Sequence, residues 1–478
     1  DLRKSMRWKF LGILAVLSAC VSAPAVRHPD IDVKIPSQWS SADDPTIADW
    51  WTQLGDTRLD TLVDQALRSN FNLQVTAARL TQVEAQARIA GALLQPSISA
   101  SGSGARRKQS FFGFPIPNSE GRILSTTTNS YGINLNSSWE LDLWGSLRAG
   151  AQAALADAHA AGAELYGAQL SIAAQTARAY FAAIEAKRQV ELARATVDNY
   201  RVSNEQIDSR YERGLSASLE LRLGRSNLAA AEATLEQRRQ QWDGSKRQLE
   251  LLLGRYPSGR IETGDQLPSI AYPVPAGLPA DLVRRRPDLI AAERRLMAAD
   301  SRLQEARRQL LPRISLTAST GTSSNELSNL LNGDFSVWNL LTNLSQPLLQ
   351  GDRLSAGVDL AKSGVDASLA TYAQSVLLAY AEVEQSLKAA ELLSRQEAAL
   401  ETATLEAQAA RTLAEDRYAK GLSNLITLLD AQRRAFDAES RLLSVRRLRL
   451  DARIDLHLAL GGDFSSIPLS LQPAENTR

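Results

Sequence analysis

The spacing of apolar residues changes three times within about 200 positions, and the same succession then runs a second time. Residues 58–93 and 279–311 carry apolar positions at helical spacing, and each stretch stops just before a proline, Pro96 or Pro312. Alternating runs follow. In 131–141, Tyr131, Ile133, Leu135, Trp139 and Leu141 share one face, with Gly132, Asn134, Asn136, Ser138 and Glu140 on the other. Later, Trp338, Leu340 and Leu344 oppose Asn339, Asn343 and Ser345. Ile98 and Ala100, and Ile314, Leu316 and Ala318, mark a partner strand for each run. Long helical stretches come next, Leu147–Glu212 and Leu354–Ala419, with no proline between Pro117 and Pro257 or between Pro347 and Pro468. At 1.5 Å per residue each is roughly 100 Å long, so each must pack along other helices. The return stretches carry sevens: Leu221, Leu228, Leu235, Trp242 and Leu249, then Leu429, Phe436, Leu443 and Leu450. Sustained sevens predict coiled-coil packing.

The two successions are copies of one unit. Pro96 matches Pro312 at an offset of 216, and Asn72-Leu73 matches Asp288-Leu289 at the same offset. Arg210-Tyr211-Glu212-Arg213-Gly214-Leu215-Ser216 matches Arg417-Tyr418-Ala419-Lys420-Gly421-Leu422-Ser423 at 207, as Leu253-Gly254 matches Leu460-Gly461. The first copy therefore carries nine extra residues between Pro96 and Leu147, expected in a loop. The expected organisation is repeat 1 over 58–260, a Pro/Gly-rich linker over 261–278, repeat 2 over 279–463 and a tail over 464–478. Each repeat reads as helix, two strands, long helix, turn and return helix. Gly214 and Gly421 stop the long helices.

Composition narrows the function classes. The 478 residues carry a net charge of +1, which argues against a nucleic-acid binder. One Cys excludes a disulfide framework, and His28, His159 and His457 are isolated, with no metal-ligand or Ser/His/Asp spacing. No enzyme chemistry, metal or cofactor is expected. No apolar run reaches 18 residues. The single Cys instead closes an address. Arg7 and Lys9, the apolar stretch Phe10–Leu17 and Leu17-Ser18-Ala19-Cys20 form a signal over 1–19, with Met6 as its start. The ending resembles a bacterial lipobox, with Cys20 as the lipidated residue; a plain secretory signal is the alternative. Val21 in place of Asp favours the outer membrane, as the resemblance implies. Residues 20–57 read as a tether.

The polar strand faces are rich in Asn, Ser and Thr with few charges, which suits a water-filled lumen, although a buried soluble sheet would also alternate. Trp139 and Trp338 are candidates for an aromatic girdle, against ordinary packing. Four strands cannot close a barrel, and an open edge cannot survive in lipid. Three chains supply twelve strands, enough for a channel, whereas two would close only a narrow filled barrel. The expected fold class is thus an α+β membrane protein with a long α-helical barrel and a transmembrane β-barrel.

The chain resembles the TolC family of outer-membrane channels, and within it the lipoprotein outer-membrane factors of resistance-nodulation-division (RND) efflux pumps, the OprM/NodT-like branch. The similarity covers about residues 50–463. It rests on Trp50-Trp51 with Leu54-Gly55-Asp56, on Ser138-Trp139-Glu140-Leu141-Asp142-Leu143-Trp144-Gly145, on Arg285-Arg286-Pro287-Asp288, and on Tyr418-Ala419-Lys420-Gly421 followed by Leu428-Leu429-Asp430-Ala431-Gln432-Arg433. The resemblance implies a homotrimeric, passive duct served by a periplasmic adaptor and an inner-membrane RND pump. It places Asp430 in a ring of aperture carboxylates and Ile426 at the adjacent apolar constriction. Carboxylates meeting on an axis repel one another and attract cations. A surface pair between Asp430 and Arg433 or Arg434 is the competing reading. The family's other aperture carboxylate position holds Thr427, and its latch arginine position holds Ser423. Tyr418 and Glu220 match positions that link inner and outer helix pairs, so their loss is expected to raise leak. The tips around Gly214 and Gly421 are implied as adaptor docking grooves. Type I protein secretion through the same architecture, and a structural periplasmic lipoprotein, are the alternative functions. Copper export is disfavoured, since Met6 and Met297 are the only methionines.

Overall fold

The computed structural model describes residues 50–111, 124–270 and 285–462. The signal, Cys20, most of the tether and the tail lie outside the described residues. Helices α1 (Thr57–Ser69) and α2 (Phe71–Ala92) lead to strands β1 (Ser97–Phe111) and β2 (Leu124–Leu141). Helices α3 (Ser146–Glu212) and α4 (Ser218–Leu252) complete the first copy. The second copy runs α5 (Pro287–Arg308), β3 (Arg313–Ser324), β4 (Ser336–Ser345), α6 (Arg353–Ala419) and α7 (Leu425–Ala459). Both long helices begin one residue before the expected start. The expected helix over 58–93 is two helices. Asn70 is extended, ends α1, and accepts from the N–H groups of Asn72 and Leu73 through Oδ1, so it caps α2 as it breaks the run. The extra length of the first copy is not all loop: β1 and β2 have 15 and 18 residues, against 12 and 10 in β3 and β4.

The described chain forms two compact units. The first comprises residues 82–158 and 294–370 and contains a four-stranded antiparallel sheet in the order β1-β2-β3-β4. Directly paired residues share a face, so the register sorts the sheet. Ile98 pairs with Ser137, Leu135 with Thr320, Trp139 with Leu316, Ala318 with Leu340 and Thr320 with Trp338. Every apolar position named from the alternation, in all four strands, therefore falls on one face. The other face carries Ser97, Ser99, Ser101 and Ser103, Asn134 and Asn136, Thr317 and Ser319, Asn339 and Asn343, interrupted by Val337 and Leu341. β1 and β4 are the two edges, and neither edge is paired among the described residues.

The strands join their helices through repeat-related bonds. Trp139 Nε1 donates to the Leu94 carbonyl at 3.0 Å, and Gln346 Nε2 donates to the Leu310 carbonyl at 3.0 Å. Both partners are related by the offsets of the repeat, so an indole and an amide do one job in the two copies. Trp144 Nε1 donates to the Pro312 carbonyl at 2.7 Å, and Asp142 accepts from the N–H groups of Leu147 and Arg148, capping α3.

The second unit comprises the described parts of 50–81, 159–293 and 371–462. Its main core gathers Trp50, Leu59, Tyr180, Phe181, Ile184, Leu249, Leu253 and Ile454, all at most 1% exposed. Fully burying one such side chain is worth about 1.5–3 kcal/mol. The sevens face inward: Leu228, Leu235 and Trp242 of α4 meet Val190, Val197 and Tyr200 of α3 and Leu429 and Phe436 of α7. Asp56 caps α1 through the N–H groups of Arg58 and Leu59, while its other oxygen accepts from the Tyr180 hydroxyl at 2.6 Å. A second repeat-related contact closes each copy. Asn70 Nδ2 donates to the Leu252 carbonyl at the end of α4, and Arg286 Nη1 donates to the Ala459 carbonyl at the end of α7.

Candidate functional site

The turns joining each long helix to its return helix hold most of the residues singled out by sequence. Gly214 and Gly421 have φ of +71° and +72°. Leu215 N–H bonds to the Arg210 carbonyl and Gly214 N–H to that of Tyr211; Leu422 and Gly421 repeat this with Arg417 and Tyr418. This double bond pattern is a Schellman cap, and it needs the left-handed residue that glycine supplies. Leu215 and Leu422, the next residues, stay exposed. Beneath them, Ile207, Leu221, Ala414, Tyr418, Leu425 and Leu428 tie the ends of four helices into one apolar cluster.

The two return helices start differently. Asn424 caps α7, accepting from both the N–H and the hydroxyl of Thr427 at 2.9 Å. The equivalent position in α4 is Ala217, which makes no side-chain cap. There Glu220, the repeat equivalent of Thr427, accepts instead from the Ser216 hydroxyl four residues back.

The direct Tyr418–Glu220 bond expected of a latch is therefore not formed. The near-sequence Ser216 hydroxyl takes the Glu220 carboxylate, and the Tyr418 hydroxyl is buried without a partner among the described residues. Burial, aided by the Glu220 charge, pushes the Tyr418 phenol up, which keeps it neutral. What holds Tyr418 is Arg210, whose guanidinium lies 5.2 Å from the ring centroid and donates to the Tyr418 carbonyl at 3.3 Å.

Ile426 and Asp430 lie one turn apart on α7. Ile426 is 69% exposed. Asp430 accepts from Arg434 Nε and Arg433 Nη2, each at 2.7 Å. Those bonds hold its carboxyl below the usual carboxylate range. Asp430 thus sits in a group of one carboxylate and two guanidiniums, net positive. Both readings of Asp430 meet here, since a paired carboxylate can still face a pore.

One cluster escaped the sequence reading. Gln432 is fully buried, and its Nε2 donates to Asn199 Oδ1 at 2.6 Å and to Ser203 Oγ at 3.0 Å, while Asn199 donates to Glu415 at 2.9 Å. This polar layer sits among α3, α6 and α7. Its signal is in the chain: Gln432 interrupts the apolar stripe Leu425, Leu428, Ala435 and Phe436. Such interruptions set register at some cost in stability. The two girdle candidates share the apolar face of the sheet, Trp139 at the helix end and Trp338, 80% exposed, level with Leu135 in the middle of that face.

A family model described as outer membrane efflux protein matches residues 62–255 and 278–462. The chain belongs to the outer membrane efflux protein family. It is 32% identical over 95% of its length, and 95% of the relative's, to outer membrane protein OprJ of Pseudomonas aeruginosa. It is 30% identical over 95% of its length, and 97% of the relative's, to the cation efflux system protein CusC of Escherichia coli. A crystal structure of a membrane protein from Pseudomonas aeruginosa superposes with a TM-score of 0.84 at 33% identity, covering 92% of this chain and 99% of that one. The fold is that of the TolC-like channels, α-helical and β-barrel parts built from tandem repeats. The chain is an outer-membrane channel component of tripartite efflux, located in the outer membrane and extending into the periplasm. No described helix is long and apolar enough to cross a membrane.

Proposed function

We propose that three copies of this outer membrane efflux protein assemble into one passive, gated duct with no catalytic chemistry of its own. The carrying observation is the sheet: four strands, one apolar face, one Ser/Thr/Asn face and two unpaired edges. Unpaired edges in lipid cost several kcal/mol per polar group, and pairing β1 of one copy with β4 of the next removes them. Twelve strands leave a lumen lined by the polar face. Exposed apolar residues of α6, among them Leu360, Leu405 and Leu413, would be covered by the same assembly. Ile426 and Asp430 serve as constriction and aperture, and the tips around Gly214 and Gly421 receive a periplasmic adaptor through Leu215 and Leu422. Trp139 and Trp338 contribute to an aromatic girdle on the lipid-facing side of the barrel, and Cys20 carries the lipid. An inner-membrane RND pump supplies the energy, and the cargo is a class of drugs or other small molecules.

The test is the mass of the purified protein in detergent together with its conductance in a planar bilayer. A trimer with discrete channel openings is expected. A monomer or dimer, or a trimer without conductance, overturns the proposal.

A further inference from the structure

The β1–β2 hairpin continues past the four-stranded part of the sheet. β3 ends against β2 at the Ser324–Tyr131 pair, so Leu124–Ser130 of β2 pairs only with Ala105–Phe111 of β1. This extension carries three consecutive cations, Arg106, Arg107 and Lys108, all exposed. No acidic residue occurs in β1, and β2 holds only Glu140, at its far end. Among the described residues, no hydrogen bond or ion pair occupies any of the three cations.

Register assigns each cation a side. Ile98, Ala100, Gly102 and Gly104 lie on the apolar face, so Arg106 and Lys108 continue that face while Arg107 falls on the polar one. Arg106 pairs with Asn129 and Lys108 with Thr127, which puts an amide and a hydroxyl beside the two charges. The apolar face runs from the Leu141–Ile314 pair to the Tyr131–Ser324 pair, ten steps along the strand. At about 3.4 Å per step and a tilt of about 40°, that is about 25 Å of height, the apolar band of an outer-membrane barrel. Arg106 and Lys108 follow Gly104, the partner of Tyr131, by two and four residues. They therefore sit about 5–10 Å beyond the band, within the headgroup layer. The hairpin end lies opposite the helix-bearing end of the strands, and the helices extend into the periplasm, so this is the outer leaflet.

We propose that Arg106 and Lys108, with Asn129 and Thr127, form a binding site for the phosphate groups of anionic outer-leaflet lipid headgroups. A guanidinium offers a forked donor pair to phosphate oxygens and an ammonium a point charge, while Asn129 and Thr127 supply neutral hydrogen bonds. The inference rests on the sheet spanning the outer membrane.

The experiment uses the full-length protein reconstituted in phosphatidylcholine vesicles doped with diphosphorylated lipid A, with lipid A retained per chain counted by native mass spectrometry. The double variant Arg106→Gln/Lys108→Gln is expected to weaken retention about tenfold. Arg107→Gln, on the opposite face, should stay within twofold of the unchanged protein, and dephosphorylated lipid A should bind as weakly as the double variant. Bilayer conductance of each variant reports that the barrel has formed. Equal retention by the double variant overturns the site, as does an equal loss with Arg107→Gln or undiminished binding of the dephosphorylated lipid. Loss of conductance in the double variant moves the comparison to Lys108→Gln alone, where a loss of threefold or more supports the site and unchanged retention overturns it.

Discussion

Arg286→Leu is the most informative single change in the helical unit. The Arg286 side chain is 10% exposed and touches three elements. Its Nε and Nη2 bind both oxygens of Asp288 at 3.0 and 2.8 Å, and its Nη1 donates to Glu382 at 2.7 Å and to the Ala459 carbonyl at 3.0 Å. Burial pushes the guanidinium down, but the two carboxylates more than offset this, so it stays charged. The losses are unequal. Asp288 and Glu382 are 53% and 54% exposed, so water takes over their charge, and each pair is worth at most about 1 kcal/mol. The Ala459 carbonyl ends a buried helix turn, and leaving it unsatisfied costs about 1–3 kcal/mol. The expected total is about 2–4 kcal/mol. Arg286→Lys keeps the charge but reaches fewer partners and should lose about half. The assay is helical circular dichroism of the detergent-solubilised protein, heated at one fixed rate. At about 2 cal/mol/K of unfolding entropy per residue, 1 kcal/mol moves the midpoint of so long a chain by about 1 °C. Arg286→Leu should therefore melt about 2–4 °C lower, with Arg286→Lys between. A leucine variant within 0.5 °C of the unchanged protein would refute the reasoning. Asn70→Ala is the same test in the first copy, since it strips the Leu252 carbonyl and the cap of α2 together.

Other outcomes follow from single contacts. Gly421→Ala adds a methyl that meets nothing within 4 Å, so only the positive φ is penalised, at about 1–2 kcal/mol, and a larger drop in denaturant midpoint would show that the tip is packed. Tyr418→Phe removes a buried hydroxyl without a partner, so stability and leak conductance should be unchanged or slightly improved; raised leak would restore the latch. Arg433→Gln with Arg434→Gln unmasks Asp430 and should shift the zero-current potential toward cation selectivity in a salt gradient; no shift would place Asp430 away from the pore. His457 lies 5.3 Å from the Trp50 ring, nearly parallel to it, and burial, with Arg453, pushes it down to about 3. The unfolded chain binds this proton below pH 6.5 and the folded one does not, so stability falls as pH drops from about 6.5 toward 3, by about 1.4 kcal/mol per unit at most. His457→Phe should flatten that part of the melting-versus-pH curve, and an unchanged slope would exclude His457 as its source.

Much of this molecule is written in local periods. The long helices show as unbroken Ala-rich stretches, and α3 and α6 begin within one residue of the expected Leu147 and Leu354. Gly214 and Gly421 mark turns because a positive φ is a property of one residue. The repeat offsets are arithmetic on the chain. Alternation also separated the strand faces, because successive side chains in a strand must point to opposite sides.

Partner choice is another matter, because it depends on what long-range folding brings within hydrogen-bond reach. Asn70 looked like one more position in a helix, yet its amide meets a carbonyl 182 residues away and the run breaks there. Glu220 and Tyr418 had suitable chemistry for a latch, but the Glu220 carboxylate takes the Ser216 hydroxyl and makes no bond to Tyr418 among the described residues. Asp430 is the local exception, since its two guanidiniums are the i+3 and i+4 neighbours that its helical spacing offered. Pairing register, set only when β2 lies between β1 and β3, turned the separate alternations into one continuous apolar face and left β1 and β4 as open edges. Local sequence specifies dihedral preferences and periodicity; which atoms share a desolvated contact is decided by the whole fold, where each buried donor takes the acceptor that its geometry allows.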